Sequence, residues 1–421
     1  MDQDYLCFMM KPVNYLCRLL GIASYSISDI KNYDHKTGNK FWKLLWPYLL
    51  AIVLMCCYVY RILFTFQVES QVVHHNLLVT DFLNTSIEYI GCVILIIIRS
   101  INHQRNISLI LKKFTLLNER FFKYRNEFIA QNVISPVIQV TLSLLLIFFF
   151  ILSCVNVFVW STHWLPWLII CEEWCAFTIF VINVKFVLLV QCYRYRHKEL
   201  NCQIAMLNDL TGPTVRTVVL QDVRETLILE YSSNCRVSYQ PSEAVVRSTD
   251  TSRKTLFLNR VKALREDHLD LFELSQLLNS KYGFQILICF SLIFFQHILN
   301  YNFVIDLMLK LLSGKDGIAT DVQEYASLCM AILSSVALIF LTVSCHMASV
   351  EANSSQLLVH KLLLSKDLSS DVTVQLQLFS SQVSNLKVKF KICGLFTINA
   401  SLLSTIAGVI CTYLIILYQF K

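Results

Sequence analysis

Seven hydrophobic runs of bilayer length divide the chain, and the polar stretches between them hold most of its charge. They lie at 44–64, 77–98, 134–160, 165–192, 282–305, 325–348 and 395–420. A segment inside lipid must satisfy its own backbone hydrogen bonds, so each run predicts an α-helix. The fold class expected is all-α, a polytopic membrane protein of seven spans. Its organisation reads as a 1–43 N-terminal segment, spans one to four over 44–192 with a helical loop at 99–133, and a long loop at 193–281. Spans five and six follow over 282–348, then helices at 349–394 and a last span at 395–421.

Lys and Arg give the runs a direction. Of the 36, all but Arg61, Lys185, Lys310, Lys315 and Lys421 fall in 1–43, 99–133, 193–281 and 349–391, on one side of the membrane. The positive-inside rule makes that side cytosolic. The N-terminus is then expected inside and the C-terminus outside, the reverse of a G-protein-coupled receptor. The acidic Met1-Asp2-Gln3-Asp4 start is not that of a secretory leader, so the first span is expected to remain as an anchor. Tyr5 to Ile22 mixes apolar residues with Lys11 and Arg18 and is expected along the inner membrane surface. Residues 211–254, rich in Ser, Thr and Val without period, read as a flexible insert.

Near the C-terminus, Leu376, Phe379, Val383, Leu386 and Phe390 step by 3, 4, 3 and 4, a coiled-coil-like seam. It packs within one subunit or joins subunits, and spacing does not choose. The final span carries a second pattern. Ser401, Thr405, Gly408, Thr412, Ile416 and Gln419 fall on one narrow face at about 100° per residue. Opposite stand Leu403, Ala407, Ile410, Leu414 and Leu417. Lipid has no use for a row of small and polar groups, so the row suits either a tight helix contact or a pore lining.

Ionisable residues within spans are costly and so informative. The second span holds Asp81, Asn84 and Glu88 at steps of 3 and 4. The third ends at Asn156 and Trp160, and the fourth opens with Trp164, Trp167, Glu172, Glu173 and Trp174. The fifth rises to Gln296, His297, Asn300 and Tyr301, and the sixth starts near Tyr325. The topology gathers these groups from five helices at one outer depth, as in a ligand pocket with few directed polar groups. Such a site suits cationic amines through charge and ring faces, or polyols through hydrogen bonds and stacking. Trp160, Trp164 and Tyr325 also suit an interfacial belt, and Lys185 is a possible partner for one of the span acids.

Composition narrows the function further. At 55% hydrophobic, 15% charged and mean hydropathy +0.55, the chain is far from a soluble domain. Its net charge of +7 is spread between spans, which excludes a nucleic-acid patch. The sequence holds no phosphate loop, His-Glu-x-x-His or nucleophile elbow, so no enzyme, cofactor or metal is expected. Most of the 16 cysteines sit in spans or on the basic side, and they read as small hydrophobes and not as a disulfide framework.

One motif is more specific. Thr412-Tyr413 is followed by five hydrophobic residues and Gln419-Phe420, preceded by Gly-Leu-Phe-Thr-Ile-Asn-x-x-Leu-Leu from Gly394 to Leu403. Upstream stands Leu278-Asn279-x-x-Tyr282-Gly283. Together with seven spans and an inside N-terminus, these residues resemble the insect gustatory receptor family. The C-terminal third carries the match in motifs, the rest in topology alone. The resemblance implies a ligand-gated cation channel in the plasma membrane of gustatory neurons. It implies a homo- or heterotetramer with other gustatory receptor subunits, among membrane lipid, with a small-molecule tastant as ligand. Thr412, Ile416, Gln419 and Phe420 would line the pore and gate, and the 376–390 seam would serve the subunit anchor. Sugar-branch receptors usually place Glu after the Thr-Tyr pair. Leu414 stands there instead, which favours a bitter or aversive ligand over a sugar. An odorant-receptor-like subunit is the nearest alternative.

Overall fold

The computed structural model describes residues 13–20, 40–68, 82, 85–86, 88–98, 109–117, 136–160, 166–210, 243–313, 318–364 and 368–419. Its helices include α1 (Lys40–Val68), α2 (Glu88–Ile98), α3 (Pro136–Trp160), α4 (Pro166–Leu210), α5 (Glu243–Ser313), α6 (Ile318–Leu363), α7 (Ser370–Asn385) and α8 (Ala400–Gln419), with short helices at 13–19 and 109–117. Four are long and apolar enough to cross a membrane, and shorter apolar helices lie at Glu88–Ile98, Leu146–Val155 and Ala400–Ile416. Each of the seven expected runs thus contains an apolar helix. The chain divides into two compact units, one of 1–192, 276–346 and 390–421, the other of 193–275 and 347–389.

The first unit is built around α4. From Thr178 to Cys192 its side chains are buried on all sides, as expected of a helix apolar all round. Ala51, Leu54 and Cys57 of α1 pack with Tyr89, Cys92, Val93 and Ile96 of α2 and Cys175 of α4. Helix α3 leans on α4 through Phe149, stacked on Phe180 at 4.6 Å. Helices α2 and α5 close up at Gly91, where a Cβ would stand 3.1 Å from Leu292 and 3.2 Å from Ile288. Polar groups cross between spans as well, since Gln191 Nε2 of α4 donates to Ser344 Oγ of α6 at 2.9 Å.

The N-terminal segment does more than rest on a surface. Val13, Asn14, Cys17 and Leu20 are buried in the first unit. Lys185 Nζ, fully buried in α4, donates to Asn14 Oδ1 at 3.4 Å, and Trp46 Nε1 donates to the Leu19 carbonyl.

The second unit packs the α4 tail, the start of α5, the end of α6, and α7. Asn201 is its polar hub. Its amide nitrogen donates to Glu351 Oε1 at 2.8 Å and Ser354 Oγ at 2.9 Å, and its oxygen accepts from Ser355 Oγ at 2.6 Å. Beside it, Tyr193 OH and His197 Nε2 lie 2.7 Å apart, and the His197 ring meets His268 edge-on at 6.1 Å. Burial holds both histidines below the ordinary imidazole range, His268 at about 4, with His268 adding to the effect on His197. Helix α7 buries Val372, Leu376, Phe379 and Val383 within the chain. The expected seam keeps helical spacing only to Val383, because the helix stops at Asn385. Leu386 is its half-buried cap, and Phe390 is buried beyond it, in the first unit.

Two expectations shift. The helix α5 already runs from Glu243, so the end of the expected insert is helical, while 211–242 lies outside the described residues. The last helix begins at Ala400, five residues after the expected start at 395. Before it, β1 (Lys391–Ile392) pairs antiparallel with β2 (Phe396–Thr397). Cys393 at φ 49° and Gly394 at φ 77° turn the chain, and Leu395 N–H closes the turn on the Ile392 carbonyl at 2.9 Å. Two successive positive φ angles are the mark of a tight hairpin turn, and they end any helix there.

Candidate functional site

Two of the polar residues expected at the pocket, Glu88 of α2 and Gln296 of α5, line one small cavity. Glu88, at the start of α2, is buried at 7% exposure. It lines a cavity of about 20 Å³ with Ala176 and Ile179 of α4 and with Leu292, Ile293 and Gln296 of α5. That is room for about one water molecule. A carboxylate and a carboxamide therefore border one small space walled by aliphatic side chains.

Further groups face α6. His297 is buried at 2%, and its Nδ1 lies 3.1 Å from Ser334 Oγ. One turn on, Tyr301 OH meets Ser335 Oγ at 3.0 Å, and the His297 and Tyr301 rings stand 5.6 Å apart. Both serines also donate back to backbone carbonyls a turn earlier, to Met330 and Ala331, each at 2.7 Å. His297 thus serves as a helix-contact residue in this structure.

On α4, Glu172, Glu173 and Trp174 are half-buried. Trp167 is exposed at 41% and lies against Tyr60 of α1, ring centroids 4.9 Å apart. Among the described residues, Trp174 Nε1, Asn300 Nδ2 and Thr85 Oγ1 are buried without a hydrogen-bond partner. Buried donors of this kind are costly unless water or a ligand reaches them.

Asp81 and Phe420 lie outside the described residues, and Trp160 and Tyr325 stand in α3 and α6 with side chains outside them. Sequence reading missed Tyr58, Tyr60, Tyr89, Ser334 and Ser335. Tyr58 OH donates to Ser86 Oγ at 3.0 Å and its ring lies 5.8 Å from that of Tyr89, whose OH donates to the Leu168 carbonyl at 3.3 Å. The available signal was Tyr58 and Tyr60 among the apolar residues of the first span, and the Ser334-Ser335 pair in the sixth.

The last helix is covered on one side only. Leu402, Leu403, Ile406 and Leu414 are half-buried and Ile410 is buried. Ser401, Thr405, Gly408, Thr412, Ile416 and Gln419 are all exposed. Asn399 caps the helix, its Oδ1 accepting from the Leu402 N–H at 3.1 Å and from Ser401 Oγ at 2.8 Å. Thr405 and Thr412 turn their hydroxyls onto the carbonyls of Ser401 and Gly408. Elsewhere, an open apolar groove of about 610 Å³ runs along α1 and α2 from Tyr48 to Leu63 and along Val93 and Ile97. It suits an acyl chain and offers no array of polar groups.

Comparison with known proteins agrees with this architecture. The whole chain superposes on the insect olfactory receptor OR5 of Machilis hrabei, covering 100% of both chains with a TM-score of 0.63 at 12% identity. The same receptor solved in complex with eugenol gives a TM-score of 0.62 over the same coverage, again at 12%. At that identity the likeness concerns the fold. Gustatory receptor 28b of Drosophila melanogaster is 31% identical over 155 residues, which span 37% of this chain and 33% of that protein. The family model of the 7tm chemosensory receptors matches residues 10–421. Helical architecture, span pattern and family match coincide over almost the full length, and the chain belongs to the seven-transmembrane chemosensory receptor family.

Proposed function

We propose that this chain is a gustatory receptor acting as a ligand-gated, non-selective cation channel. The observation that carries the reading is the row Ser401, Thr405, Gly408, Thr412, Ile416 and Gln419, left uncovered while Leu403, Ile406, Ile410 and Leu414 turn into the chain. The uncovered side also carries Val409, Tyr413 and Ile415, but its continuous row of hydroxyls, glycine and amide suits a water-filled axis better than lipid. Copies of the chain, or related subunits, set around that axis as a homo- or heterotetramer would complete the pore, with Phe420 following Gln419 at the gate. An apolar ring excludes hydrated ions until it widens.

The tastant binds at the level of Glu88 and Gln296, where the cavity now holds about one water molecule and must widen to admit it, at the outer ends of the spans when the basic loops are cytosolic. Glu88, Glu172 and Glu173 with Trp167, Trp174 and Tyr301 favour a cationic or amphipathic, bitter-type ligand. Leu414 after the Thr-Tyr pair counts against the sugar branch. The α1–α2 groove is a place for membrane lipid, and the plasma membrane of gustatory neurons is the expected location.

The test is electrical. Cells expressing this chain, alone and with other gustatory receptor subunits, are challenged with alkaloids, amines, amino acids and sugars while GDP-β-S blocks G-protein signalling. Cation currents evoked by a cationic or bitter compound support the reading. Responses that disappear under the block, or saturable uptake without unitary openings, defeat it.

A further inference from the structure

The motif Leu278-Asn279-x-x-Tyr282-Gly283 has a structural partner. Asn279 of α5 reaches the hairpin that precedes α8, and its Oδ1 accepts the Lys391 N–H at 3.1 Å. One turn further, a Cβ on Gly283 would stand 3.1 Å from the Cys393 backbone nitrogen, 3.6 Å from its Cα and 3.7 Å from the Lys391 carbonyl oxygen. Backbone therefore lies directly on backbone here, and a Cβ would push the Cys393 backbone back by a few tenths of an ångström. Between these two residues, the Tyr282 ring lies 5.4 Å from Phe186 of α4, which meets Phe390 edge-on at 6.5 Å.

The hairpin is itself closed. Lys391 pairs with Thr397 and Ile392 with Phe396. The Ile398 N–H donates to the Phe390 carbonyl at 2.9 Å, and Asn399 caps the first turn of α8. From Phe390 to Leu402 the chain is a short, cross-tied strap. Its contacts with α5 are made to the strap's backbone, so they fix where α8 starts.

Helix α5 also carries Gln296 and His297. Gly283 and Gln296 are 13 residues apart in one uninterrupted helix, about 20 Å along its axis. We propose that Asn279 and Gly283 form a joint that positions α8 from α5, so that a movement of α5 at the Gln296 level is delivered to α8 through the hairpin. The proposal rests on α8 being the pore helix for its effect on conduction, but not for the positioning itself.

Three variants of the full-length chain test it. Asn279→Leu removes the acceptor at similar volume, Asn279→Asp keeps it, and Gly283→Ala places a methyl group against the Cys393 backbone. Hydrogen exchange in nanodiscs reads the joint. Peptides covering 390–399 should exchange at least tenfold faster in Asn279→Leu and Gly283→Ala, with 370–385 unchanged and Asn279→Asp near wild type. Spontaneous unitary currents in sodium and potassium solutions read the coupling. Open probability should change at least fivefold in the first two variants at unchanged unitary conductance, and Asn279→Asp should restore it. Exchange at 390–399 that stays at the wild-type rate in both variants overturns the joint. Faster exchange with unaltered open probability overturns the coupling. A wild-type chain that passes no current with any subunit defeats the pore reading instead, and exchange alone then decides whether Asn279 positions α8.

Discussion

Glu88 of α2 and Gln296 of α5 line the same cavity, of about 20 Å³, although 208 positions separate them in the chain. On the proposed reading, a carboxylate at this depth favours a ligand that brings a positive charge or a donor of its own. Glu88→Gln keeps the shape and removes the charge. A charged hydrogen bond contributes about 1.5–3 kcal/mol, so half-maximal concentrations for cationic tastants should rise roughly 10- to 100-fold. Neutral ligands should shift far less. Dose–response curves for one amine and one uncharged agonist separate these outcomes, and equal shifts would remove Glu88 from ligand recognition.

At the far end of α8, Gln419 closes the exposed row. Gln419→Ala should change unitary conductance, rectification or the reversal potential in mixed sodium and calcium solutions. Half-maximal ligand concentration should change by less than about twofold. Permeation indistinguishable from wild type would take the pore away from this face of the helix.

Asn201 ties α4 to α6 in the second unit through Glu351, Ser354 and Ser355. Asn201→Leu leaves the buried Ser355 and the half-buried Glu351 and Ser354 facing an apolar group, at a cost of about 1–3 kcal/mol from the unmade hydrogen bonds. Thermal unfolding of the purified protein should begin several degrees lower, while unitary conductance in surviving channels stays as it was. An unchanged melting profile would mean that water replaces the amide.

His197 and His268 give the second unit an acid limit. Both are held neutral by burial, His268 with a folded value of about 4 against an ordinary 6.5. Above about pH 6.5 neither folded nor unfolded chains bind these protons, and stability is unaffected. Below it the unfolded chain protonates first, so stability falls as pH drops towards 4, by roughly 3 kcal/mol for His268 alone. Melting curves at pH 7.5 and 5 should differ in that direction, and His268→Phe should narrow the gap. A higher melting temperature at pH 5 contradicts the assignment.

The spans were legible because hydropathy over about 20 residues depends little on neighbours. Each of the seven expected runs contains an apolar helix. The rotation of each helix was not legible in the same way. Glu88 and Gln296 line one cavity where Gly91 lets α2 lie against Leu292 and Ile288 of α5, a contact that no local period reveals. Likewise the 376–383 row was visible, whereas its burial within the chain depends on where α4, α5 and α6 leave room. The hairpin hid for a different reason. Cys393 and Gly394 sit between apolar stretches, and the average hydropathy of a window passes smoothly over the two residues whose φ angles break it. Lys185 was weighed against the span acids, but its distant partner Asn14 lies in a segment read as peripheral.

Helix α4 is enclosed on every side from Thr178 to Cys192, while its Trp167 end is partly open. A residue change in the enclosed stretch must be absorbed by several neighbours at once, whereas one near Trp167 meets few. Substitutions that leave the fold intact will therefore collect at that open end. That end can diverge between relatives without rebuilding the middle of the bundle.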